Sequence, residues 1–174
     1  MSEGQSTTTI RERRPADDAA ITAVVTAAFG GPDEAALIDA LRRDGDMVLE
    51  LVALEGGEVV GHIAFSRLDV RAGSQSLRAV ALAPLAVAPH LQQKRLGETL
   101  TRRALERLGE AGEELAVVLG HPAYYARFGF SSLLAKLLEA PYAGEAFMAL
   151  ELKPGILDAL RWRVTYAKAF GPAH

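Results

Sequence analysis

The order of apolar patterns along these 174 residues predicts one α/β (α+β) domain: a mixed, mostly antiparallel sheet flanked by helices, with a central βαβ unit. Three observations carry that expectation. Two stretches of helical spacing come first and give way to strand-like runs after residue 46. The pair Gly56-Gly57 then marks a hairpin turn between two such runs. Last, the almost wholly apolar segment 77–88 is followed by an amphipathic helix and a short apolar run at 115–119. Those two strands are expected to be parallel neighbours joined by a right-handed crossover.

Residues 1–8 read as a flexible N-terminal tail and 9–174 as the domain. Segment 9–13 reads as a short strand. After Pro15, Ile21, Val24, Val25 and Ala28 fall at helical spacing, with Asp17 and Asp18 at the positive end of the helix. Gly30, Gly31 and Pro32 stop it, and Asp33 is placed to cap a second helix carrying Leu37, Ile38 and Leu41. Segments 47–54 and 59–70 form the hairpin, and 73–76 is a further turn. The next strand, 77–88, is apolar enough to be covered on both faces. Pro84 within it lacks an N–H, so pairing must break or bulge there. Leu96, Leu100, Ala104, Leu108 and Ala111 make one helical stripe, ended by Gly112, and the charged residues at 102–110 make its solvated face. Pro122 opens a short helix over 123–128 that stops at Gly129, and strands follow at 147–152 and 161–166.

Composition narrows the function. The net charge of −3 carries no basic footprint, so nucleic acid is not an expected partner. The chain has no cysteine, which excludes disulfides, thiolate metal sites and a cysteinyl acyl-enzyme, and fits a cytoplasmic location. Its four histidines show no metal spacing, so no metal is expected. The polar start lacks the apolar core of a signal peptide, and no apolar run approaches the roughly 18 residues that span a bilayer.

The junction 87–98 is the most informative place. A buried strand ends, a short loop follows, and a helix begins whose first-turn N–H groups have no partner of their own and favour an anion. Lys94 and Arg95 add positive charge, and Gly97 permits close approach to the backbone. The same residues also suit an ordinary solvated helix start. No phosphate-binding Gly-x-x-x-x-Gly-Lys loop is present.

Here the chain resembles the GNAT superfamily of acyl-CoA-dependent N-acyltransferases, and within it the bacterial YhbS-like group. The family's phosphate motif, Gln/Arg-x-x-Gly-x-Gly/Ala, is matched by Gln92-Gln93-Lys94-Arg95-Leu96-Gly97, with Arg95 where the first glycine is usual. Pro84-Leu85-Ala86-Val87 stands at the family's bulged strand. Tyr124-Tyr125-Ala126-Arg127-Phe128-Gly129-Phe130 resembles its Phe-Tyr-x-x-x-Gly-Phe signature, and residues 61–66 resemble a strand of the YhbS-like group. The likeness runs from about residue 9 to 170.

That resemblance implies acetyl-CoA as cosubstrate and a primary amine of unidentified nature as acceptor, with direct attack in a ternary complex. It assigns cofactor contacts to Leu85, Ala86, Val87, Gln92, Gln93, Lys94, Arg95, Leu96, Gly97, Glu98, Tyr124 and Tyr125. By the resemblance the backbone N–H at Leu85 is the candidate oxyanion donor and Tyr125 the acid for the departing thiolate; His121, which follows a strand ending beside the expected thioester, is the first candidate for the base. Leu85 and Val87 are expected to pair with the pantetheine arm. Tyr125 also reads as a core aromatic; His62 either faces the acceptor cleft or is a satisfied half-buried histidine; Glu34 begins a helix that in the superfamily often borders the acceptor site, or is a capping carboxylate; His90 reads as a loop surface residue. Two alternatives stand beside the enzyme: a non-catalytic acyl-CoA sensor on the same fold, and a structural or dimerisation protein without the cofactor site. Exposed strand edges leave room for a homodimer.

Overall fold

The computed structural model describes residues 7–142, 144–158 and 161–171. Residues 1–6 of the expected tail lie outside them, and β1 (Thr8–Glu12) already begins at the tail's last position. A 3-10 turn at Pro15–Asp17 leads into α1 (Asp18–Phe29), followed by α2 (Asp33–Arg43), β2 (Met47–Glu55), β3 (Glu58–Ala72) and β4 (Gln75–Val87). Then come α3 (Leu96–Glu110), β5 (Leu115–Leu119), α4 (Pro122–Ala126), α5 (Ser132–Ala135), β6 (Leu138–Glu139), β7 (Phe147–Glu151) and β8 (Trp162–Thr165).

These strands form one mixed sheet in the order β1-β2-β3-β4-β5-β7. The β4–β5 pair is parallel, as the βαβ pattern requires, and β1–β2, β2–β3, β3–β4 and β5–β7 are antiparallel. β2 starts opposite Ser66, and beyond that point β8 takes over the same edge of β3 at residues 69–71, with β6 outside it.

Side-chain parity divides the sheet into two faces. On β3, Gly61 and its alternates face α3: a Cβ on Gly61 would come 2.9 Å from Leu100 Cδ1. The next parity, His62 through Val70, faces α1, α2 and α5. Leu100, Ala104 and Leu108 of α3 are buried to 1 % exposure or less, and each leucine so buried contributes roughly 1.5–3 kcal/mol. On the other face, Asp17 and Asp18 do more than complement the start of α1. Asp17 takes a two-pronged grip from Arg11 at 2.7 and 2.9 Å, and Asp18 takes one from Arg13 at 2.7 and 2.6 Å.

Three local expectations are corrected. Asp33 does not cap α2: Pro32 occupies the cap position without a side-chain bond, and Asp33 is already helical. Helix α4 ends at Ala126 instead of residue 128, because Phe128 and Gly129 bond back only three residues, to Tyr125 and Ala126, and Gly129 turns away at φ 97°. The segment after Phe130, given no element from the sequence, contains α5, whose Ser131 side chain accepts from the Leu134 N–H, and β6.

The break at Pro84 positions the site. Ile63 faces Leu85 and Phe65 faces Leu82, so Ala64 alone opposes both Ala83 and Pro84. Pairing of β4 with β5 stops at Leu82–Val118. From residue 83 onward β4 continues without a neighbour on that side, and the two strands leave an opening between them.

Candidate active site

The free edge of β4 can be read atom by atom. Ala88 donates its N–H to Val60 O at 2.8 Å, towards β3. Backbone groups alternate sides along a strand, so Ala86 also points to β3, while Leu85 and Val87 turn theirs to the opening. The Gln92 side-chain amide donates to Val87 O at 3.1 Å, which shows that this carbonyl does face the opening.

Above that edge sits the start of α3. Thr99 bonds back to Arg95 O at 3.0 Å, and the N–H groups of Leu96, Gly97 and Glu98 precede the first helical bond. The turn that delivers them is unusual: Gln93 and Arg95, neither of them glycine, adopt φ of 68° and 63°. Among the described residues the Lys94 and Arg95 side chains have no ion pair or hydrogen bond, so neither charge is neutralised. Gly97 lets the first turn sit low: a Cβ there would lie 3.0 Å from the Tyr124 hydroxyl and 3.6–3.7 Å from Val87 and Leu85. The nearest neighbour of a side chain at 97 is therefore a tyrosine of the same chain, which would have to give way by a few tenths of an ångström.

The far wall follows β5. His121 is the N-cap of α4 and puts Tyr124 and Tyr125 on the first turn, with ring centroids 5.0 Å apart, edge to face. A Cβ on Gly120 would overlap the Tyr125 ring, so that glycine seats the tyrosine. Burial, with a smaller contribution from Tyr124, pushes the Tyr125 hydroxyl up to about 12, so it stays protonated at neutral pH. Burial also raises Tyr124.

Together these walls enclose a cavity of about 720 Å³ lined by Leu85, Val87, Gln92, Gln93, Arg95, Gly97, Glu98, His121, Tyr124 and Tyr125. Three expected residues stand apart from it. The Ala86 side chain is buried on the opposite face. The Leu96 side chain enters the core. Lys94 lines a separate cavity of about 240 Å³ with Thr8, Ile10 and Thr99. Two lining residues were missed, Leu91 and Arg127. The Arg127 guanidinium lies 5.0 Å from the Tyr124 ring and 3.4 Å from Glu98. Its spacing of three from Tyr124 was the available signal.

Other candidates lie elsewhere. His62 is fully buried, with Nε2 2.9 Å from Glu50 Oε1. Arg42 grips the same carboxylate at 3.0 and 2.7 Å. His62 is therefore more enclosed than a half-buried strand residue, and it lies on the face away from α3. His90 is exposed in a 3-10 turn, and Glu34 stands in the first turn of α2. Among the described residues no cluster of three His, Cys, Asp or Glu could hold a metal, and no helix is long and apolar enough to cross a membrane.

Chemically, the cavity offers free strand edge, three orphan helix N–H groups, an unpaired guanidinium and a protonated phenol. Known proteins share this fold. The profile of the acetyltransferase (GNAT) domain matches residues 9–133. YhbS of Escherichia coli K12, described as an uncharacterized N-acetyltransferase, is 35% identical over 164 residues, covering 92% of this chain and 97% of the relative. YjhQ of the same organism, described in the same words, is 38% identical over 136 residues, 76% of this chain and 74% of the relative. A crystal structure of YhbS in complex with CoA superposes with a TM-score of 0.89 at 32% identity, covering 100% of this chain and 97% of that one. A GNAT-family acetyltransferase from Brucella melitensis in complex with acetyl-CoA gives 0.78 at 35%, covering 95% and 99%. By both profile and near full-length likeness, this chain belongs to the GNAT family of acetyltransferases.

Proposed function

We propose that the protein transfers an acetyl group from acetyl-CoA to a primary amine by direct attack within a ternary complex. The single observation that carries this reading is the edge of β4 from Leu85 to Val87, which no strand pairs, ending at the orphan N–H groups of α3. An extended arm with amides along its length and phosphates at one end matches that sequence of donors and acceptors. The residues present therefore fit the cosubstrate, and structures of two relatives at 32% and 35% identity contain CoA or acetyl-CoA.

When bound, acetyl-CoA supplies an activated thioester. The amine nitrogen forms a bond to the carbonyl carbon, the carbon–sulfur bond breaks, and the products are an amide and a thiol. In this reading the Leu85 N–H donates to the carbonyl oxygen as charge grows on it. The Tyr125 hydroxyl, protonated at neutral pH, in this reading protonates the departing sulfur. The proton lost by the amine leaves through solvent or the exposed His121, which lines the same cavity. Arg95, Gln93 and the first turn of α3 would hold the phosphates.

Thermal unfolding with and without acetyl-CoA, with adenine nucleotides as controls, tests the reading. Ligand at about 100 times its dissociation constant adds roughly 2.7 kcal/mol, or about 5–11 °C for a domain of this size. No shift at millimolar acetyl-CoA would overturn the cofactor assignment. A shift without thiol release for any amine would favour the acyl-CoA sensor.

A further inference from the structure

A second cavity, of about 440 Å³, lies on the opposite face of the sheet. Its apolar lining is Leu133, Ala135, Leu138, Tyr142 and Phe147, with the exposed Lys136 and Glu145 beside them. Ala135, Leu138 and Phe147 belong to the core cluster that also contains Ala81 and Val117, whose parity is that of the α2 face. Leu133 is 72% exposed and Tyr142 37%, so the lining is open to solvent and apolar at once. Apolar concavities of this kind mark ligand sites more often than solvated surface.

Two ties place this cavity beside the first. Phe147 stands opposite Leu119, the last residue of β5, at one strand spacing, about 5 Å. Ala146, between Glu145 and Phe147, accepts the Gly120 N–H at 2.9 Å. The next residue, His121, lines the cofactor cavity, so the end of β5 runs between the neighbour of Phe147 and that cavity. Leu119 is 50% exposed and has the parity of Phe147. It lies one residue past the last β4–β5 pair, where β4 runs on alone. An amine reaching a thioester carbonyl through that opening would carry its remaining atoms over Leu119 towards the second cavity.

We infer that this second cavity receives the body of the acceptor, and that the acceptor is a primary amine on an apolar or aromatic body. The inference rests on the acetyltransferase reading. Its chemistry comes from the lining: five apolar or aromatic side chains, the single hydroxyl of Ser132, and one charge of each sign that sum to zero. No acidic group beyond Glu145 is there to hold the second ammonium of a polyamine, and few hydrogen-bonding side chains are there for a sugar. Tyr142 is braced edge to face by Tyr166 at 5.2 Å, and Tyr166 by Phe170 at 5.4 Å, so the aromatic wall is held in place before ligand arrives.

The test measures acetyl-CoA-dependent thiol release with phenethylamine and tyramine against ethanolamine, spermidine and glucosamine, using the full chain and the variants Leu133→Glu and Tyr142→Ala. Both positions are exposed, which favours folding, and an unchanged acetyl-CoA thermal shift checks it. The expected result is at least about tenfold higher kcat/KM for the aromatic amines. Each variant should raise their KM by about tenfold, the scale of one lost apolar contact. Equal or better use of the polar amines overturns the inference. So does an aromatic-amine KM that neither variant moves, or no turnover of aromatic amines by protein that shows the acetyl-CoA shift. Absence of that shift is a different failure: the acetyltransferase reading falls, and this inference with it.

Discussion

Arg95 makes two separable demands on the molecule, and replacing it tests both. Its backbone sits at φ 63°, ψ 8°, where the family motif usually has glycine. A left-handed conformation costs a non-glycine residue roughly 1–2 kcal/mol. Glycine would remove that cost but widens the unfolded ensemble by about 0.4–1 kcal/mol. Arg95→Gly should therefore be more stable than Arg95→Ala by about 0.5–1 kcal/mol, or about 1–4 °C in Tm without ligand. Alanine keeps the strain and is the correct reference, because it removes the same guanidinium. The second demand concerns the ligand. The side chain lines the cofactor cavity, is exposed, and has no partner among the described residues. If it clamps a phosphate, both variants lose a charge-assisted bond of about 1–2 kcal/mol, the lower range because the site is solvated. That is roughly a 5- to 30-fold rise in the dissociation constant for acetyl-CoA. Arg95→Lys should recover part of the loss, and the loss should shrink at high salt. Differential scanning fluorimetry and titration calorimetry read the two effects independently. A glycine variant no more stable than the alanine variant would refute the strain argument. An unchanged dissociation constant would remove Arg95 from the phosphate site.

Two further predictions follow from the titrating groups. Tyr125→Phe should lower kcat by about 10²-fold while the acetyl-CoA thermal shift persists; unchanged turnover would remove the hydroxyl from the reaction. The folded pKa of Tyr125, raised by burial to about 12 from 10, means its contribution to stability is whole below pH 10 and is lost as pH rises towards 12, a loss that the phenylalanine variant should not show. At Glu50, burial acts to raise the pKa, but bonds from His62 and Arg42 outweigh it and hold the carboxyl at about 2. Its folded pKa lies below the usual 4.5, so its contribution is present above that value and disappears as pH falls towards 2. Glu50→Gln should cost about 3 kcal/mol at neutral pH, or about 6–12 °C, and flatten acid unfolding monitored by circular dichroism; an unshifted Tm would show that the buried pair is not stabilising.

Much of this architecture was legible in the chain because single residues had few alternatives. Pro84 could not complete a ladder bond, and a bulge is found there. The apolar segment at 77–88, the amphipathic helix and the run at 115–119 had one economical arrangement, a parallel pair with a crossover. Elsewhere the local signal was outcompeted. Asp33 looked like a cap, but Pro32 fits the position before a helix without a side-chain bond. Segment 131–139 carries Leu133, Leu134, Leu137 and Leu138 with no clear period. Its short helix and strand exist because they pack on β7 and pair with β8, contacts that no local window contains. In the site, the motif pointed to the residues that line the cavity. It could not separate Lys94, which turns to another cavity, from Arg95, because adjacent residues in a tight left-handed turn diverge. It also could not show that the Tyr124 hydroxyl lies so close to position 97.

The extra residue in β4 explains how the sheet opens beside α3. Before the bulge, Val80 and Leu82 face α3 while Ala79 and Ala81 face the other side. A regular strand would place residues 85 and 87 with Ala79 and Ala81. Opposing both Ala83 and Pro84 to Ala64 reverses that parity, so Leu85 and Val87 turn under α3 beside Gly97 and Tyr124. The same shift sends the main-chain groups of Ala86 and Ala88 to β3 and frees those of Leu85 and Val87 on the side that β5 has left. The sheet therefore opens at the place where its strand changes register. A cofactor arm held along the free edge lies with α3 on one side, and its reactive end meets the opening that leads, past Leu119, to the other. Removing the extra residue would move Leu85 and Val87 to the wrong face and restore a partner-ready edge, which would eliminate the arm's binding site and the passage between the faces together.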